Sequence, residues 1–565
     1  MKSINTTQRS KAQESRAAIE RLYIIMRHLF IRGSYKPLGI SGGSIIKSLL
    51  TLNPEIYGSI ADEDRVEIDG LLYVKDRLPE GIEECRQINL ISREGYESAG
   101  FQVITPAKRR RNCYRVDADQ MFIEVTRGRS DIYDILTHLT FLFIEAEKIK
   151  KHAIDHKNRK TMAWKKLEEI VEERADEGKY SIEQGFSHLS VLLGRTYEET
   201  QNGYHKFKEA TGYSLFNIVY WLGKLAIEDV GHDNAREITF SSTLRERIGH
   251  HTYGELWANK IKQFLFEHKL IERPLHIISS NLHSIQNSIY AFPALASSGS
   301  GESIEEIAKA LSDKENSPQQ EEVKNYALEH GLVELEDTSG TNITVQIIDT
   351  TKLPFERLSP EIKVERQKIK EKAPVILVMD YAFGEQAFET MDELLKNYEK
   401  SYGERIPLNV HSISVMGKAG MLDGEKGDIM VPTAHVFEGT ADNYPIENDL
   451  RKEDFGGLGL HVSEGPMISV LGTSLQNADV LRYFLKSSWR AIGLEMEGAH
   501  YQKAIQSASK IRRSIANDVK VRYAYYASDN PLLSGKTLAS GSLGLEGVKS
   551  TYAISLRILN KIFSQ

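Results

Sequence analysis

Two short runs near the C-terminal end, 491–500 and 521–531, constrain the fold more than any other stretch. Gly493 and Leu494 lead into Glu495-Met496-Glu497 and then Gly498-Ala499-His500, which reads as a buried strand ending in carboxylates and opening a helix. After a helix-length interval, 523–527 reads as a second buried strand running into Ser528-Asp529-Asn530-Pro531. Pro531 excludes continuation of that strand. In open α/β sheets, ligands bind beyond the carboxyl ends of the strands. Glu495, Glu497 and Asp529 are therefore expected in one crevice. Each acid taken singly is explained as well by capping the next helix. Glu-Met-Glu and Ser-Asp-x-Pro together favour a site.

The stretch before these runs has the same character. Residues 375–379 form an apolar strand, 380–385 a turn and 386–398 a helix. A strand at 410–415 is followed by Met416-Gly417-Lys418-Ala419-Gly420-Met421, expected to be a Gly-containing turn. Further strands are expected at 427–431 and 466–471, and 547–563 has the periodicity of a closing helix. The expectation is an α/β domain over 373–565 with a sheet of at least six strands.

The first part of the chain reads differently. Residues 11–30 carry a helical apolar stripe of Ile19, Leu22, Ile25, Met26 and Leu29, and 132–266 is expected to be mostly helical. Gly39, Gly42 and Gly43 suggest a turn before a helix at 45–52; a phosphate-cradling loop is the less favoured reading, because no Gly-Lys-Ser/Thr ending is present. Lys108-Arg109-Arg110-Arg111 is either an anion site or a solvated face neutralised by the acids that follow, and the second is favoured. A strand at 275–279 followed by Asn281 and His283 is read first as a helix cap and second as a ligand loop. Residues 297–301 (Ser-Ser-Gly-Ser-Gly) mark a linker. The expected division is a mostly helical accessory or regulatory region over 1–295, a linker with short strands and a charged helix over 296–372, and the α/β domain from 373.

Composition narrows the function classes. A chain of 565 residues exceeds one core. Its formal net charge of -7 provides no global attraction to nucleic acid or anionic membrane. Cys85 and Cys113 are the only cysteines, too few for a disulfide framework or a Cys-rich zinc site. His250, His251, His276 and His283 show no close ligand spacing, so no metal and no cofactor is expected. The start of the chain is polar, and no stretch reaches the ~20 apolar residues of a membrane span. A soluble cytoplasmic protein is expected.

The order and spacing of Gly417-Lys418-Ala419-Gly420-Met421-Leu422, Gly427-Asp428-Ile429, Glu495-Met496-Glu497 and Ser528-Asp529 resemble the purine nucleoside phosphorylase and nucleosidase superfamily over 374–564. With Asn530-Pro531-Leu532 and Gly535-Lys536 after Ser528-Asp529, the ending looks most like the AMP nucleosidases. The resemblance implies a three-layer α/β domain with a mixed sheet, a homo-oligomer, and hydrolysis of a purine N-glycosidic bond. It implies that Asp529 protonates the departing base and that Glu385 activates water. Glu497 would hold the ribose hydroxyls, Met496 would pack beneath the ribose, and Glu495, Gly417 and Ser528 would line the substrate site. Lys418 stands where a small or hydroxyl residue is usual; it either meets a 5′-phosphate, which favours a nucleotide over a nucleoside, or points away. No arginine occurs in 380–386 or just before Gly417, where phosphorylases grip phosphate. A phosphorylase and a non-catalytic nucleotide sensor are the alternatives.

Overall fold

The computed structural model describes residues 10–172, 182–212, 214–229, 236–295, 303–313, 316–400, 403–440, 442–534 and 544–564. The linker at 297–301 and the Gly535-Lys536 pair lie outside these residues. The chain separates into unit 1, residues 1–250 with 472–480, and unit 2, residues 251–471 with 481–565.

Unit 1 combines helices with a six-stranded sheet, so its helical reading was incomplete. The strands are β1 (Ser34–Tyr35), β2 (Gln87–Ile91), β3 (Val103–Ile104), β4 (Cys113–Arg115), β5 (Gln120–Glu124) and β6 (Glu237–Phe240). Their order is β1-β6-β2-β5-β4-β3, with β2 parallel to both β5 and β6. Helix α1 (Lys11–Arg32) opens with a Ser10 capping box and buries the expected stripe, apart from Ile25. The turn in the Gly-rich stretch is confined to 37–39: 40–52 is helical, so Gly42 and Gly43 lie in the helix, and a Cβ on Gly42 would sit 2.0 Å from the Pro37 carbonyl oxygen. That glycine serves close packing. Helix α2 (Gly128–Ala153) follows β5 and is buried on nearly every side through Ala146, as befits a central core helix. Cys85 and Cys113 are buried free thiols.

Unit 2 is a mixed α/β structure with helices on both faces of a ten-stranded sheet. Its strands are β7 (Leu275–Ser279), β8 (Leu332–Leu335), β9 (Val345–Asp349), β10 (Val375–Met379), β13 (Val410–Met421), β14 (Ile429–Phe437), β15 (Asn443–Pro445), β16 (Val462–Ser469), β17 (Gly493–Glu495) and β18 (Lys520–Asp529). A separate ribbon pairs β11 (Tyr398–Lys400) with β12 (Glu404–Ile406). The main order is β15-β14-β16-β17-β13-β7-β10-β9-β8, with β18 joining β13 to β14. The pairings β13-β18-β14-β16-β17-β13 thus close a ring, from which β7, β10, β9 and β8 extend. Helices α3 (Thr252–Glu267), α5 (Gln386–Leu394) and α6 (Gly498–Gln506) cover one face. Helices α4 (Leu282–Leu295) and α7 (Val548–Phe563) cover the other.

Two expectations are corrected here. The division falls at 250/251 rather than near Ala373, because β7 lies between β10 and β13 and pairs in parallel with both. Residues 416–421 are not a turn but the continuation of β13. Gly420 is there for close approach: a Cβ would stand 2.8 Å from Leu494 Cδ2. Among the described residues no helix is long and apolar enough to cross a membrane.

Candidate active site

The candidate residues gather in unit 2 at the carboxyl ends of β10, β13, β17 and β18. Asp529 ends β18, opposite Gly420 on β13, and is only 6% exposed. The Ser528 Oγ lies 2.5 Å from Asp529 Oδ1 and 3.1 Å from the Ala419 carbonyl, so one proton serves both acceptors. Asp529 Oδ2 is buried and makes no hydrogen bond among the described residues. Burial raises the Asp529 pKa, opposed by the Ser528 hydroxyl and the Lys418 charge. Asn530 accepts from the Leu532 N–H at 3.0 Å, turning the chain directly after Asp529.

β17 delivers the two glutamates to different tasks. Glu495 is 3% exposed; one oxygen accepts from the Ser469 hydroxyl and the other from the backbone N–H groups of Glu497, at 2.5 Å, and Gly498. Burial pushes its carboxyl up to about 7. Glu495 Oε2 therefore holds the start of α6 while Oε1 is taken by Ser469, and the substrate-contact role expected for it is corrected to a positioning one. Glu497 is half-buried at the N-cap of α6, and its Oε1 accepts from the Gly384 N–H at 2.9 Å. Burial and then the Glu495 charge raise its carboxyl to about 8, against the Gly384 and Met496 N–H groups and Lys418. Met496 is half-buried between them in the chain.

Glu385 is the half-buried N-cap residue of α5 and makes no side-chain cap there. Its loop reaches the site through Gly384. However, β10 is not the first strand of this sheet; β7 precedes it, and the loop after β7 carries Ser280 and Asn281 with no carboxylate.

Lys418 is exposed on β13, where its charge acts on both Asp529 and Glu497. It also lines a cavity of about 610 Å³ together with Asn281, His283, Tyr526 and the start of α7 at Gly547 and Val548. A Cβ on Gly417 would meet Tyr381 Cε1 at 3.4 Å, so the glycine seats that ring against β13. The Tyr381 hydroxyl lies 3.5 Å from that of Tyr526. Asn281 caps its own helix, accepting from the His283 N–H at 2.9 Å, as the favoured reading of that loop has it, and also lines the cavity. Sequence reasoning missed Tyr526 and the buried Gln286–Gln346 amide pair (3.0 Å), which line the cavity, and Tyr381, which touches Tyr526. No local pattern marks partners 60 to 145 residues apart. His276 serves the sheet, with Nδ1 2.7 Å from the Ser412 hydroxyl. Among the described residues no group of three His, Cys, Asp or Glu is placed to hold a metal.

The profile of DUF6909, described as a family of unknown function, matches residues 44–299 and 306–564. No curated protein matches the sequence. Among solved structures, the chain is similar to the Campylobacter jejuni 5′-methylthioadenosine/S-adenosyl homocysteine nucleosidase at 12% identity and a TM-score of 0.31, over 52% of this chain and 100% of that one. Futalosine hydrolase of Helicobacter pylori matches at 14% identity and a TM-score of 0.29, over 52% and 99%. Uridine phosphorylase from Schistosoma mansoni matches at 10% and 0.30, over 55% and 90%.

Proposed function

The chain belongs to the DUF6909 family of unknown function, and we propose that its unit 2 hydrolyses the N-glycosidic bond of a purine nucleoside or nucleotide, with AMP the first substrate to test. The observation that carries this reading is Asp529: a buried carboxyl with a raised pKa and one oxygen without a hydrogen bond among the described residues, at the end of a strand and within reach of the Lys418 charge that also acts on Glu497. Such a group holds its proton nearer neutrality and can give it to a departing base.

Cleavage builds positive charge on the ribose and negative charge on the base. Asp529 protonates the base, while Ser528 orients its other oxygen. Glu497 accepts from the ribose hydroxyls, and the growing positive charge of the sugar draws its carboxyl toward the ionised form. Lys418, which lines the cavity, meets the 5′-phosphate. Water is the nucleophile in this reading because the loops after β7 and β10, 280–281 and 380–385, carry no arginine to grip phosphate. Glu385 remains the nearest carboxylate in the chain to the Gly384 contact and is the first candidate to orient that water.

The test incubates the purified protein with AMP, adenosine and methylthioadenosine, with and without phosphate, and detects free base. Release at the same rate without phosphate, alongside ribose or ribose 5-phosphate, is expected. Strict dependence on phosphate with ribose 1-phosphate as product favours a phosphorylase, and no release from any of the three sinks the enzymatic reading.

A further inference from the structure

The proposed chemistry uses only the Lys418 side of the cavity of about 610 Å³ in unit 2. Ligand sites are typically about 300–1,000 Å³ in volume. The rest of the lining comes from α4, α7, β8, β9 and the helix Ser317–Glu329, and most of it is polar. One amide organises it. Gln346 on β9 is 2% exposed, and its Nε2 donates to Gln286 Oε1 on α4 at 3.0 Å and to Glu334 Oε2 on β8 at 3.3 Å. A carboxylate only accepts, so Glu334 fixes which end of the Gln346 amide carries the donors. Gln346 Oε1 is left buried without a hydrogen bond among the described residues. Tyr552 on α7 also lines the cavity, and its hydroxyl accepts from Asn287 Nδ2 at 3.0 Å. Burial pushes the Tyr552 hydroxyl up to about 12, so it keeps a proton to donate.

These groups select by exclusion. An anion would meet two acceptors, Gln346 Oε1 and the Glu334 carboxylate. An apolar group would leave Gln346 Oε1 unpaired, at the desolvation cost of a buried acceptor. An ammonium cannot accept from Tyr552, and Lys324 Nζ already lies 3.6 Å from Glu334. A neutral hydroxyl donates to Gln346 and accepts from Tyr552, and several hydroxyls on one ring serve both at once.

Lys418 joins this cavity to the proposed reaction centre, since it lines the one and its charge acts on Asp529 and Glu497 in the other. We propose that the cavity receives a sugar carried on the 5′-phosphate of the nucleotide, which makes the substrate class a nucleoside diphosphate sugar. The placement of the nucleotide rests on the hydrolase reading of unit 2, and the placement of the sugar rests on Gln346 and Tyr552.

The test titrates the full chain calorimetrically with AMP, ADP and ADP-ribose, and separately follows release of free base from AMP and ADP-ribose. ADP-ribose is expected to bind at least about tenfold more tightly than AMP or ADP, the gain of two or more hydrogen bonds. ADP supplies the added phosphate without the sugar, so equal binding of ADP and ADP-ribose overturns the proposal, as does the absence of saturable ADP-ribose binding. Gln346→Leu should narrow the preference to less than about threefold. If that variant does not fold, Tyr552→Phe, which removes only a hydroxyl, is read in its place and should lower the preference about threefold or more. A preference untouched by the variant that is read overturns the proposal. Base release from AMP with no preference for ADP-ribose ends the cavity assignment alone. Preferential binding with no base release from either ligand ends the hydrolase reading and leaves the cavity a sugar-nucleotide site.

Discussion

The backbone N–H of Gly384 donates to Glu497 Oε1 at 2.9 Å, across 113 positions of sequence. This contact ties the turn after β10 to the start of α6. The scaffold beneath it is Glu495, whose Oε2 holds the backbone N–H groups of Glu497 and Gly498 while its Oε1 takes the Ser469 hydroxyl. One glutamate therefore positions the other.

Lys418 separates a nucleotide from a nucleoside. If its ammonium meets a 5′-phosphate, Lys418→Ala lowers AMP cleavage much more than adenosine cleavage. A lost charge-assisted contact is worth roughly 1.5–3 kcal/mol, or about ten- to over a hundredfold. Steady-state kcat/KM on both substrates checks this; equal losses show that Lys418 does not read the phosphate.

Shortening the chain tests the domain division. A chain beginning at Pro374 lacks β7, whose residues Ile277 and Ile278 are fully buried and whose loss unpairs one edge each of β10 and β13. It is expected to be insoluble or to lack cooperative thermal unfolding by circular dichroism. A soluble, cooperatively unfolding 374–565 fragment would restore the boundary near Ala373.

What could be read from sequence follows the range of the interactions involved. The ends of β17 and β18 were legible because strand, acid and helix start lie within ten residues of each other. The role of β7 was not, since Leu275 pairs with Val375 and Val410, one hundred and more positions away. Gly417 and Gly420 misled because glycine signals either a turn or a close approach, and only the neighbouring Tyr381 and Leu494 side chains decide between them. Arg109 and Arg111 looked like surface charge because their partners, Asp131 and Asp134, stand twenty or more residues on, across a strand pair.

The raised Glu497 carboxyl makes a statement about stability. Its folded value of about 8 lies above the ordinary carboxyl value of 4.5, so the folded state binds the proton more tightly than the unfolded chain. That contribution is fully present below about pH 4.5 and is lost as pH rises through 8. Glu497→Gln keeps a neutral group of the same shape. It should match wild type in thermal midpoint at about pH 4 and exceed it at about pH 9. Parallel midpoint curves for the two proteins across this range would show that Glu497 is ionised in the empty site.

Asp529→Asn is the sharpest test of the site. Asn keeps the shape and can still accept from Ser528, yet cannot transfer a proton to a base. As general acid, Asp529 predicts a loss in turnover of about 10²–10⁴-fold with substrate binding changed far less. As a turn residue alone, it predicts near-normal turnover, because Asn replaces Asp at helix starts at a cost of a few tenths of a kcal/mol. A carboxyl with raised pKa adds a second readout. The acid limb of the wild-type profile should hold, and activity should fall on the alkaline side as Asp529 loses its proton. The residual activity of Asp529→Asn should lack that alkaline fall, and a variant retaining both full turnover and the wild-type profile removes Asp529 from the mechanism.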